Sequence, residues 1–485
     1  MSKEADMKEV ELNELEQEKQ SMNTDTEKNG CVKVKVPEEK EVKFTGLTKE
    51  ELMKVAGTPG WVRTRWVLLV LFWLGWVGML AGAVVIIVQA PRCKPIPEMH
   101  WWNEGPLYQI SDVNNYPEDI SGIENKLDNL NQLKVKGLIL GPIHTVQADQ
   151  LSTLNLEVID PVLGTEEKLE SLIERARKKG ISIVLDLTPN YKGRNIWFNN
   201  VPALADRLGK ACTFWLQKGV DGFLFSGINQ VVGTPTWQSI QDVVHSNNTE
   251  GTKKSALIGS VTNQAADSVT LLLEQSGVDL LLTSLSVSNL HGVQQAEDLS
   301  KLSSNHSNLA WSLGNLTSDF PIRLYHMLLF TLPGTPVFHR GDEVGLKKGE
   351  PVDEIWNLDD PANEDNETVK NIRAERRAVQ SFFKALSDLR VKERALLHGE
   401  YESLYSSSSS FAFLRLWDQS ERFITALNWG NSAVRMTMTN SDLPAEAQVR
   451  LSTDTENLAV DSMVSLQNLE LKAKQAVLLS YPYAG

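Results

Sequence analysis

Residues 67–88, VLLVLFWLGWVGMLAGAVVIIV, carry no charged side chain, and nothing else in the chain restricts its fold so tightly. Crossing the hydrocarbon core of a bilayer takes about 20 mostly apolar residues at helical rise. A buried helix of a soluble domain rarely stays apolar for so long. A cleaved signal would lie nearer the start, with a shorter apolar core and a small-residue cleavage site behind it. The stretch therefore predicts a transmembrane helix over 66–88. Gly75, Gly78 and Gly82 interrupt its large side chains. Small residues let two helices approach closely in lipid, so these glycines are a candidate packing face, although glycine is also common in membrane helices generally. Trp61, Trp66, Trp101 and Trp102 flank the span, where amphipathic rings suit the membrane interface.

Orientation follows from charge. Lys49, Lys54, Arg63 and Arg65 precede the span, against Arg92 and Lys94 behind it, which favours a cytoplasmic N-terminus. The glycosylation sequons at Asn247, Asn305, Asn315 and Asn366 all follow the span. Glycans are added on the lumenal side, so the large C-terminal part is expected outside the cell. The expected class is a single-pass type II membrane protein. A net charge of −14 argues against nucleic acid as a partner. No metal site and no cofactor is expected.

Three cysteines make no disulfide framework. Cys31 falls in the expected cytosolic tail and should stay reduced. Cys212 lies in an apolar helical pattern, ACTFWLQKG, and reads as a buried thiol. Cys93 sits in PRCKPIP, where Pro91, Pro95 and Pro97 keep the chain extended and exposed. An exposed, unpaired thiol in an oxidising compartment suggests an intermolecular disulfide; a palmitoylated or merely tolerated cysteine is the alternative.

The rest of the chain falls into segments. Residues 1–65 are polar, Glu-rich at the start and unable to bury enough apolar surface to order themselves, so a disordered cytosolic tail is expected, with a short helix at 47–56 capped by Thr48 and Glu51. Residues 89–104 are a juxtamembrane linker. From 105 to 392 short apolar runs, at 107–110, 135–141, 181–188, 220–225, 256–261, 278–283, 309–313 and 335–339, alternate with helical patterns such as 165–180. Eight strands with interleaved helices suggest a parallel (β/α)8 barrel, though an open doubly wound sheet would show the same alternation. From 393 to 485 the helices give way to short strands, read as a small antiparallel β-sandwich, and the serine run 406–410 reads as a loop.

Four blocks, from ISGIENKLDNLNQLKVKGLILGPIH through LEVIDPVLGTEEKLESLIERARKKGISIVLDLTPNY and FWLQKGVDGF to MLLFTLPGTPVFHRGDEVGL, resemble in that order the barrel of the α-amylase family of glycoside hydrolases. The C-terminal segment is similar to that family's terminal β-domain. The resemblance implies a pair of carboxyl groups across a glycosidic bond, yet the matching positions carry none. Ser226 stands at the position of the nucleophilic Asp and Leu224 at that of its Arg neighbour. Ser260 stands at the acid Glu, Leu316 and Thr317 at the His and Asp of the third motif, and Asn190-Tyr191 at the family's Asn-His. Hydroxyl groups cannot replace tuned carboxyl groups in protonating a leaving oxygen or stabilising an oxocarbenium ion. Asp186, Asp221, Asp342 and Glu343 remain near strand ends; Asp186 and Asp221 read as capping or packing residues, and Asp342 and Glu343 match a non-catalytic motif of that family, here Gly341-Asp342-Glu343-Val344-Gly345. The lid domain that active members commonly insert after the third strand has no room here.

A barrel of this type without its chemistry, behind a type II anchor and a juxtamembrane cysteine, resembles the heavy subunits of the heteromeric amino-acid transporters. TRWVLLVLFWLGWVGMLAGAVVIIVQAPRC and KEVELNELE carry that likeness, and the missing lid favours the type without it over the type serving cystine and dibasic amino acids. The resemblance implies a multi-span light chain as partner, linked through Cys93 and the membrane helix. It further implies delivery of that partner to the plasma membrane and association with integrin β-subunits. The rival expectation is a membrane-anchored α-glucosidase-like glycoside hydrolase.

Overall fold

The computed structural model describes Gly46 and residues 48–89, 93–111, 119–198, 201–246, 253–262, 264–285, 301–302, 308–313, 321–346, 367–440 and 442–483. The expected sites Asn247, Asn305, Asn315, Thr317 and Asn366 lie outside the described residues, as does Cys31. The chain divides into two compact units, Met1–Arg92 and Cys93–Gly485.

In the first unit a helix spans Lys49–Ala56. As expected, Thr48 and Glu51 open it: the Thr48 N–H and Oγ1 both donate to the Glu51 carboxylate, at 3.1 and 3.0 Å, occupying groups the first turn cannot pair internally. A second helix runs Pro59–Gln89 over 31 residues, about 46 Å at helical rise. It begins before the expected position 66 because Pro59 opens a first turn whose N–H groups need no helical partner; Trp61, Arg63, Arg65 and Trp66 therefore ride on it. None of its residues is buried, and it is long and apolar enough to cross a membrane. Gly75, Gly78 and Gly82 have open space where a Cβ would stand.

The second unit contains a closed parallel barrel of β1 (Leu107–Ile110), β2 (Gly137–Leu140), β3 (Ser182–Asp186), β4 (Gly222–Ser226), β5 (Ala256–Val261), β6 (Leu280–Leu285), β7 (Leu309–Leu313) and β8 (Thr335–His339). All eight expected runs form strands within two residues of their expected ends. Pairing of Leu107 with Val337 closes the ring and rules out the open sheet. Strand periodicity sends alternate residues inward: Leu107, Ile139, Val184, Leu224, Ile258, Leu280, Ala310 and Val337 fill the interior, while Tyr108, Leu138, Ile183, Phe223, Leu257 and Leu309 pack under the surrounding helices. Both faces are buried, so the strands read as continuous apolar runs.

Trp101 and Trp102 do not serve a membrane interface. They join the interior cluster at the N-terminal end of the barrel, with Trp102 2% exposed and Trp101 Nε1 donating to the Lys254 carbonyl at 3.0 Å. A large ring that can close a barrel end buries more apolar area there than at a wet interface.

Helices Glu367–Lys392 and Arg394–His398 lead into the C-terminal strands. These are β9 (Glu400–Ser406), β10 (Ser410–Leu416), β11 (Arg422–Asn428), β12 (Val434–Met436), β13 (Glu446–Ser452), β14 (Met463–Ser465), β15 (Leu469–Leu471) and β16 (Gln475–Tyr481). Six form a sheet in the order β14-β13-β16-β11-β10-β9, and β12 pairs with β15. The serine run forms the β9–β10 turn, where Ser407 Oγ meets Ser410 Oγ at 2.6 Å. One face of the large sheet, with Phe411, Phe413, Phe423 and Leu478, joins the barrel core. The other, with Ala412, Leu414, Ile424 and Leu479, packs on Met436, Leu469 and Leu471 of the small sheet.

Two buried arginines brace the junction of barrel and β-domain, Arg390 from within the barrel and Arg415 from β10. Arg390 donates to the carbonyls of Phe330 (2.5 Å) and Leu332 (3.0 Å) and to that of Gly334. Arg415 donates to Thr331 (2.6 Å) and twice to Gly399 (2.9 and 3.2 Å). Both guanidiniums thus address the carbonyl end of the helix Ile322–Thr331, where unpaired C=O groups and the helix dipole favour positive charge. Burial lowers both pKa values, that of Arg390 to about 10, still charged at neutral pH.

Candidate functional site

The C-terminal mouth of the barrel is where a parallel barrel presents its chemistry. Ser226 ends β4 and Ser260 lies near the end of β5, in register with each other. Both are half-buried. Their backbones are knitted together, because the Gly227 N–H donates to the Ser260 carbonyl at 2.7 Å. Gly227 adopts φ +64, and a Cβ there would lie 2.1 Å from Ile196 Cδ1, so the position suits glycine alone. Trp197 Nε1 donates to the carbonyls of Ser226 (3.0 Å) and Gly227 (3.1 Å), and its buried ring lies against Phe225 and Trp237. Sequence reasoning missed Trp197, whose role depends on its fold back over β4.

The remaining carboxylates are occupied locally. Asp186 at the end of β3 accepts the Thr188 N–H at 2.9 Å and the Thr188 hydroxyl, and Thr188 Oγ1 accepts the Ser226 N–H at 2.9 Å. Burial pushes the Asp186 carboxyl up to about 6 despite those donors. Asp221 lies at the opposite, N-terminal end of β4, taking the Ile183 N–H (2.9 Å) and the Lys253 ammonium (2.7 Å). After β8, Asp342 accepts the His339 N–H at 2.8 Å, and Glu343 accepts the Tyr108 hydroxyl and the Gly341 N–H, each at 2.9 Å. Both are fully buried, and desolvation raises each to about 7. His326, held neutral by burial, donates Nε2–H to the Asp342 carbonyl at 2.8 Å. Asn190 is buried and bonds to Asp149, while the Tyr191 hydroxyl donates to the His144 carbonyl at 3.1 Å. These are the contacts of loop staples, and those of Asp186 and Asp221 are of the capping and packing kind. Among the described residues no group of side chains could hold a metal ion.

A second locality is Cys93, exposed and without a disulfide. Its neighbour Lys94 is seated on the β-domain. The Lys94 N–H donates to Asp418 Oδ2 at 3.1 Å, its ammonium pairs with Glu400, and the same ammonium lies 5.3 Å from the centre of the Trp417 ring. Cys212, by contrast, is buried in the helix Ala205–Gln217, and burial pushes its thiol up, out of the reactive range.

Comparison with known proteins places these features. Residues 32–108 match the model of the solute carrier family 3 member 2 N-terminus, and residues 108–206 match the α-amylase catalytic domain. The amino acid transporter heavy chain SLC3A2 of Rattus norvegicus is 44% identical over 99% of both chains. The chain belongs to the amino-acid transporter heavy chains. A second heavy-chain type, SLC3A1 of Mus musculus, is 23% identical to it over 96% of this chain and 90% of its own. Among solved structures, Bacillus licheniformis trehalose-6-phosphate hydrolase superposes on this heavy chain with a TM-score of 0.60 at 16% identity, covering 79% of this chain and 100% of the other. The α-amylase of Geobacillus thermoleovorans gives 0.57 at 18%, covering 79% and 99%. At such identity these two speak for the shared barrel fold alone.

Proposed function

We propose that this heavy chain is a non-catalytic type II membrane glycoprotein that links through Cys93 to a multi-span amino-acid transporter light chain. It carries that partner to the plasma membrane and stabilises it there. The single observation that carries the reading is the 44% identity to a named transporter heavy chain along 99% of both chains. One span cannot line a transport path, which takes several helices around a cavity, and residues 67–88 hold no ionisable group for a substrate or ion. The heavy chain thus supplies packing and a covalent tie: the Gly75, Gly78 and Gly82 stripe for a partner helix, and the exposed Cys93. In this reading 1–65 is a cytosolic tail, 66–88 the span, 89–104 the linker, and 105–392 and 393–485 the extracellular barrel and β-domain. Asn247, Asn305, Asn315 and Asn366 are then open to glycosylation, and the span and tail are the surfaces for integrin β-subunits.

The glycosidase alternative is disfavoured by Ser226 and Ser260 at the ends of β4 and β5, and by the local bonding of Asp186, Asp342 and Glu343. Co-expression with candidate light chains tests the proposal. Non-reducing gels should show a heavier band that collapses on reduction and is absent in Cys93→Ser, and surface labelling of the light chain should rise with the heavy chain present. Hydrolysis of maltose-type or chromogenic glucosides by the purified protein would count against it.

A further inference from the structure

The residue after Cys93 is held from three directions. Its N–H is bonded to Asp418, its ammonium pairs with Glu400, and its charged end faces the Trp417 ring. Trp417 and Asp418 lie in the β10–β11 turn, closed by the Ser420 N–H on the Trp417 carbonyl at 2.9 Å. Glu400 opens β9 and pairs with Leu416 of β10. The seat is therefore part of the sheet. Trp417 is 7% exposed and packs on His398 with ring centres 5.5 Å apart, so the platform is rigid. The Lys94–Glu400 pair is half exposed on both sides and adds little by itself; the backbone bond and the ring contact define the seat. On the far side Pro95 and Pro97 hold the chain extended.

A Cα is about 3.8 Å from its neighbour across a trans peptide. With Lys94 anchored, the Cys93 thiol can sample only a small volume at this end of the β-domain. An unanchored linker would spread the same thiol over a far larger one, and effective concentration falls as the sampled volume grows.

We infer that the Lys94 seat is a positioning device: Asp418 and Trp417, holding Lys94, keep the Cys93 thiol where a cysteine of the membrane partner can reach it. The inference rests on the reading that Cys93 is the linking cysteine. In a glutathione buffer the chemistry is two exchanges. The Cys93 thiolate attacks oxidised glutathione and releases one glutathione thiolate; the partner's thiolate then attacks the Cys93–glutathione sulfur and releases the second. Two protein thiols are oxidised as one glutathione disulfide is reduced to two thiols.

The test uses the full chain co-expressed with its light chain, equilibrated across ratios of oxidised to reduced glutathione, quenched, and run on non-reducing gels. Asp418→Gly removes the acceptor yet suits the positive φ of 44 at that position. Lys94→Met keeps the stem and removes the charge. Each should require about 3–10 times more oxidising buffer for half linkage, and Lys94→Arg should restore most of the shift. Hydrogen exchange reads the seat independently, because Lys94 and Ile96 carry the amides between Cys93 and Pro97. The Lys94 amide should be protected in the native chain and exposed in Asp418→Gly. An unprotected Lys94 amide in the native chain, or unchanged linkage midpoints when that protection is lost, overturns the positioning role alone. Absence of any linked band in the native chain, with Cys93 freely taking up glutathione, removes the linkage reading and this role with it.

Discussion

Glu343 ties the stability of the barrel to pH. It is a fully buried carboxyl that accepts from the Tyr108 hydroxyl and the Gly341 N–H, and desolvation raises it to about 7, with the nearby Asp342 adding to the rise. A carboxyl raised in the folded state favours folding fully below its unfolded pKa near 4. That contribution is lost as pH rises toward 7, because the unfolded chain ionises while the folded chain resists. Glu343→Gln cannot ionise, so its stability should fall less between pH 4.5 and 7 than that of the native chain. Urea unfolding at a series of pH values checks the slope, and an unchanged slope would place the proton elsewhere. The neutral His326 beside it, depressed to about 3 by burial, takes up a proton only in the unfolded chain as pH falls through about 6.5, so it adds stability as pH rises in this window; it does so equally in both chains and drops out of the comparison between them.

Among the elements, the barrel is closed below by an aromatic pair and knitted above by backbone. Trp102 contributes its carbonyl as well as its ring: Thr335 Oγ1 donates to that carbonyl at 2.9 Å. Trp102→Ala should leave a cavity under the barrel and cost about 3–5 kcal/mol, read as a lowered urea midpoint, with the span helix and its membrane insertion unaffected. At the mouth, the Gly227–Ser260 bond and the Trp197 indole tie the ends of β4 and β5 together through the backbone.

At the scale of the whole molecule, barrel and β-domain share one apolar core, with Phe411, Phe413 and Phe423 continuous with barrel residues. Arg415 closes the seam by reaching from β10 to the Thr331 carbonyl, with Arg390 bonded beside it within the barrel. Removing one guanidinium leaves buried carbonyls unpaired, each worth about 1–3 kcal/mol, offset in part by relief of a buried charge. Arg415→Met should therefore cost about 2–4 kcal/mol, seen as an earlier unfolding transition in which barrel and β-domain melt together. Separate melting of the two would show that the seam is weaker than its bonding suggests.

Much of this architecture was legible in the sequence, because local physics wrote it there. An uncharged 67–88 has few stable settings outside lipid. Thr48 and Glu51 at the spacing of a capping box open a helix wherever they occur, and strands buried on both faces leave eight unbroken apolar runs. Ser226 and Ser260 drew notice through sequence blocks that resemble the α-amylase barrel, and Asp186 through its place near a strand end. The rest depended on contacts distant in sequence. The burial of Trp101 and Trp102 required the barrel floor to exist, since flanking a span gives the same residue types an equally good reason to be there. Trp197 over β4, Arg415 on Thr331 and Lys94 on Asp418, some 324 positions apart, are partnerships of residues whose local patterns do not single them out. Secondary structure and membrane class follow from periodicity and composition, which the chain carries locally. Which polar group meets which, and so which thiol is held in place, follows from closure of the barrel and docking of the β-domain, which only the folded chain decides.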